Sequence, residues 1–140
     1  MSNPGPATAV TVNQQPVNNS QALVLIGVLK GLSVASAGDT PIPLVGPIGS
    51  FVPTVVLTTN ANVTMATATV GIYTAPAAGG TAVLTTAALT GQTTTAFAYV
   101  RAATAAAANV TPTSNVLYAN VGTTVATGTV YLYLYGYVTG

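Results

Sequence analysis

The chain has 140 residues and a mass of 13.8 kDa; half of it is apolar, its mean hydropathy is +0.63, and its charged side chains are Lys30, Asp39 and Arg101 alone. One domain fits this length and can hide roughly two-thirds of the surface its unfolded chain exposes. The absence of His and Cys excludes disulfides, thiolate and imidazole chemistry and the usual zinc ligands, and a net charge of +1 leaves no basic surface for nucleic acid or anionic lipid.

Residues 1–20, MSNPGPATAVTVNQQPVNNS, hold three prolines and a cluster of Asn and Gln. They cannot bury enough surface to fix themselves and are expected to form an extended arm ahead of a single β-domain at 21–140. Within the arm Val10 and Val12 form a short Thr/Val stretch, a candidate for adding to a neighbour's sheet edge by backbone hydrogen bonding. Residues 21–34 are rich in Leu, Val and Ile and predict a strand. Their apolar core, 22–29, is broken by Lys30 and falls far short of the roughly 20 residues needed to cross a membrane. Ala35-Ser36-Ala37 has the form of a signal-peptidase site, but no Lys or Arg precedes the run, so a secretory signal is not expected.

Residues 39–53, DTPIPLVGPIGSFVP, carry four prolines and are expected as a packed loop or sheet-edge segment. Beyond them Thr, Ala and Val dominate, residues that suit a pleated surface. Strands are predicted at 55–59 and 62–74, the latter with Ala66, Ala68, Val70 and Ile72 on one face. A hairpin through Gly79-Gly80 leads to a return strand at 81–86. Alternation predicts another strand at 93–102, with Phe97, Tyr99 and Arg101 on one side. Residues 104–109 suggest at most a marginal helical turn. Strands follow at 115–121 and 125–138. In the last, Tyr131, Tyr133, Tyr135 and Tyr137 share one face, and Val130, Leu132 and Leu134 the other. The fold class expected is all-β: an antiparallel β-sandwich or jelly-roll-like subunit with an extended N-terminal arm.

No catalytic residue is expected. One carboxylate cannot make a paired-carboxylate mechanism and no Ser-His-Asp arrangement exists without histidine. Nor is any metal site or cofactor expected. Lys30, Asp39 and Arg101 are expected to make an ordinary ion pair or to sit at an interface. The tyrosine stripe has two roles open to it: packing beneath a second layer, or meeting another subunit, since tyrosine is enriched at interfaces. Near-zero charge favours association, so much of the surface is expected to be covered by protein. Thr67/Thr69, Thr93/Thr95 and Thr127/Thr129 have the i, i+2 spacing of an ice- or crystal-binding array, but no fixed repeat stacks them.

ATVGIYTAPAAGGTAVLTTAALT (68–90) followed by TVYLYLYGYV (129–138) resembles small Ala/Thr/Gly-rich capsid decoration, or cement, proteins of tailed bacteriophages. The resemblance covers about half the chain. It implies a β-sandwich-like subunit, commonly a homotrimer, on the outer capsid surface of the virion, bridging neighbouring major capsid proteins without catalytic residues. A fibre, sheath or other surface structural subunit is the alternative. Nucleic acid and membrane are not expected partners.

Overall fold

Alternating Val, Leu, Ile, Thr and Tyr build eight strands in the computed structural model, which describes residues 23–60, 64–96, 98–104 and 108–140. They are β1 (Val24–Ser33), β2 (Gly38–Pro43), β3 (Phe51–Asn60), β4 (Thr69–Ala75), β5 (Gly79–Ala88), β6 (Ala98–Ala102), β7 (Val116–Val121) and β8 (Thr129–Val138). Two four-stranded antiparallel sheets result, sheet A in the order β1-β8-β3-β6 and sheet B in the order β2-β7-β4-β5. The pairs β1·β8, β2·β7, β3·β6 and β4·β5 are nested, as in one long hairpin rolled up. The pairs β3·β8 and β4·β7 complete the sheets. This is the eight-stranded double Greek key of a jelly roll. The all-β sandwich expected from the alternation is therefore present; no helix occurs among the described residues.

The core lies between the sheets. Ile26, Leu32, Val56, Val130, Leu132 and Leu134 point inward from sheet A, and Ile42, Val70, Ile72, Leu117, Ala119 and Val121 from sheet B. Phe51 is the one aromatic ring among the largest fully buried side chains, while Met65 and Leu89 close one end. Gln92 is also fully buried there, its Nε2 donating to the Thr58 carbonyl at 2.9 Å.

Several boundaries differ from expectation, each for a local reason. The Pro-rich segment splits into edge strand β2 and the start of β3, an inner strand of sheet A. Pro53 is accommodated there because it faces Gly136 beside a register shift, and a Cβ at 136 would overlap the Val52 carbonyl oxygen. The strand expected from 93 begins only at Ala98, because the Thr93 hydroxyl accepts from the N–H groups of Thr95 and Ala96 and holds a turn. Phe97 and residues 105–107 of the expected helical turn lie outside the described residues. The last strand starts at Thr129 and not at 125. Residues 64–68 lead into β4 as a turn, with Met65 and Ala68 buried.

The charges do not pair as expected: among the described residues there is no ion pair. Arg101 instead reaches from β6 toward the other sheet and donates to the carbonyls of Val70 at 3.1 Å and Ala87 at 3.3 Å, where β5 carries an extra residue against β4. Burial lowers its pKa from the ordinary arginine value, although the guanidinium stays charged at neutral pH. Asp39 accepts from the backbone N–H of Ala77 at 2.7 Å and from Asn120 Nδ2 at 2.9 Å. It thus steadies a β4–β5 turn in which Ala77 and Ala78 both adopt left-handed φ near +60°.

Candidate protein–protein interface

The two outer faces of the sandwich are finished differently. On sheet B, Tyr73 is only 8% exposed and its hydroxyl lies 2.9 Å from Thr86 Oγ1, while it accepts from Thr86 N–H at 3.0 Å. Thr69 Oγ1 accepts from Thr123 N–H, and the Asp39–Asn120 bond crosses β2 to β7. Tyr73, Thr69, Asp39 and Asn120 thus each have a hydrogen-bond partner on that side of the sandwich.

On sheet A the tyrosine stripe runs down the middle of the outer face. Tyr131 and Tyr137 are 43% and 38% exposed, and Tyr133 and Tyr135 are half-buried. Their hydroxyls make no side-chain hydrogen bond among the described residues. Among the described residues no second layer covers the stripe; its companions Val130, Leu132 and Leu134 fill the core on the opposite face.

Neighbouring strands extend the surface. Tyr135 and Tyr133 stand opposite Leu25 and Val28 of β1. On the other flank Val52, Val55, Leu57 and Thr59 of β3 face Tyr137, Tyr135, Tyr133 and Tyr131. Beyond β3, the outward residues of β6 are Ala98, Val100 and Ala102, with Val100 59% exposed. No charged side chain stands among them; Lys30 borders the face in the two-residue bulge opposite Tyr131. With ten residues in β8 and four strands across, the face measures about 33 by 19 Å, or roughly 600 Å² in outline. Standard interfaces bury about 800 Å² per partner, so one such face, with the relief of its side chains, is of the right size.

The sheet edges are protected by contrast. Edge strand β1 carries Lys30 and a bulge with Gly31 at φ +82°, and part of its length is covered by Val45, whose N–H donates to the Ile26 carbonyl. Edge strand β2 lacks N–H groups at Pro41 and Pro43; β5 has three register shifts against β4; β6 is five residues long. These features discourage strand addition at an edge. Among the described residues the uncharged face of sheet A is the broad apolar surface left without such protection.

Of the candidate interface residues, Tyr131, Tyr133, Tyr135 and Tyr137 are thus brought together on one outward surface, while Val10 and Val12 lie outside the described residues. The contribution of β3 was missed by alternation alone; its signal is the near-continuous apolar run of residues 51–57, the mark of a strand without a strongly polar face. The threonine pairs make no common array: of the six, Thr69 and Thr129 alone lie in strands, and these belong to different sheets. Among the described residues no cluster of three or more His, Cys, Asp or Glu is placed to hold a metal ion. No protein-family model, curated protein or solved structure matches the chain.

Proposed function

We propose that this chain is a non-enzymatic structural subunit of a virion, a decoration or cement protein of a tailed bacteriophage. In this reading it assembles as a homotrimer on the outer capsid surface and stabilises contacts between neighbouring major capsid proteins. The observation that carries it is the uncharged Tyr/Val/Leu face of sheet A, which is large enough for an interface and which none of the described residues covers. Many identical subunits bound side by side gain affinity through cumulative apolar burial and avidity, and such binding needs no catalytic group. The jelly roll supports the reading as a fold that capsid proteins use, without fixing the function by itself.

The test is co-sedimentation of the purified protein with capsids that lack it, followed by electron microscopy of the decorated particles. Saturable binding at a fixed ratio to the major capsid protein, with density on the outer lattice, is the expected result. Failure to sediment with capsids, together with growth of the free protein into fibres, would favour the fibre or sheath subunit instead.

A further inference from the structure

An apolar groove of about 310 Å³ opens at the end of the sandwich where β1 begins, bounded by Val24, Leu25, Val45, Pro47, Ile48 and Val138. Both of its walls are held by hydrogen bonds. Asn115, at φ +58°, donates from Nδ2 to the Gly46 carbonyl at 2.9 Å and accepts from Ile48 N–H at 3.0 Å. On the other side the N–H groups of Thr139 and Gly140 donate to the Ser50 carbonyl, and those of Gly49 and Ser50 to the Gly140 carbonyl. Such a site is preformed, so little ordering opposes an apolar ligand that enters it.

We propose that this groove receives the Val10-Thr11-Val12 stretch of a neighbouring copy of the chain. The inference rests on the assembly proposed above and names a second contact within it. Residues 1–22 lie outside the described part and join it at Leu23, beside the groove lining. Val10 and Val12 share a face when extended and offer two branched apolar side chains at strand spacing. From Val12 to Leu23 the chain reaches at most about 36 Å. A domain of this size, with a radius of gyration of about 14 Å, is about 35 Å across. Drawn out to that reach, the segment, which includes Pro16, would carry the two valines one subunit away. Its own groove begins at the point of exit, and the chain would have to double back to fill it. The protected sheet edges leave this groove, and not an edge, as the destination.

The chain contains no cysteine, so the contact can be trapped cleanly. Val12→Cys and Val45→Cys are introduced together in the full-length protein; Val45 is 51% exposed and tolerates the change. Under mild oxidation, non-reducing electrophoresis is expected to show disulfide-linked species of two or more protomers. They should form at least tenfold faster than with Asn3→Cys in place of Val12→Cys. Mixing the two single-cysteine proteins after subunit exchange should give the same linked pair. A disulfide formed only within one chain, or linkage no faster than the Asn3 control, overturns the proposal. Co-sedimentation of the reduced double variant with capsids separates this outcome from the decoration reading, because loss of the cross-link with capsid binding intact overturns the arm contact alone.

Discussion

Tyr133→Asp is expected to leave the subunit folded and to break its assembly into 13.8 kDa protomers. Tyr133 stands in the middle of the outer face of sheet A, half-buried between Val28 and Leu57. In the isolated subunit a carboxylate there reaches water, and the fold loses only cross-strand contact and β-propensity, about 1 kcal/mol. In the assembly the same carboxylate would be sealed against an apolar surface with no cation among its facing residues, which costs several kcal/mol per site. Every 1.4 kcal/mol is tenfold in affinity, so a weakening of a hundredfold or more is expected. Circular dichroism should match that of the parent protein while light scattering shows the smaller mass, and Tyr133→Phe should keep the parent mass. Loss of the β-sheet signal in Tyr133→Asp would contradict the outward placement of the stripe.

Phe51→Ala is expected to cost about 3–5 kcal/mol of folding stability. Phe51 opens β3 with its ring wholly buried, pairs with Val138 of β8 and exchanges two backbone hydrogen bonds with Val110. Truncation leaves a cavity walled by sheet backbone on both sides, which cannot collapse far to fill it. Against a typical stability of 5–15 kcal/mol this is a large share, and the melting temperature should fall by roughly 12–20 °C. Urea unfolding monitored by tyrosine fluorescence measures it; a loss below about 1 kcal/mol would show that the ring does not anchor the sandwich.

Phe51 also marks where the sequence stopped being informative. Strict alternation in TVYLYLYGYV identified β8 and its two faces because a period of two has one structural meaning. Alternation likewise separated Val70 and Ile72 from Tyr73 in β4. It failed at β3, since Pro53 argues against an inner strand; the compensating Gly136 lies 83 positions away, and only the β3·β8 register brings the two together. The polar anchors were hidden for a related reason. Arg101 looked like half of an ion pair, but its partners are the carbonyls of Val70 and Ala87, and a sequence cannot display where a β-bulge leaves backbone oxygens free. Gln92 and Thr58 meet across 34 positions and carried no local signal. The tyrosine stripe was legible as a face, whereas its outward direction depended on which strand face met the core.

The uncharged face of sheet A is expected to be covered by protein in solution. Light scattering coupled to size-exclusion chromatography, at micromolar concentration of the unmodified chain, tests it most directly. A single species at three times 13.8 kDa that persists on tenfold dilution is expected. A monodisperse 13.8 kDa protomer at every concentration would contradict it.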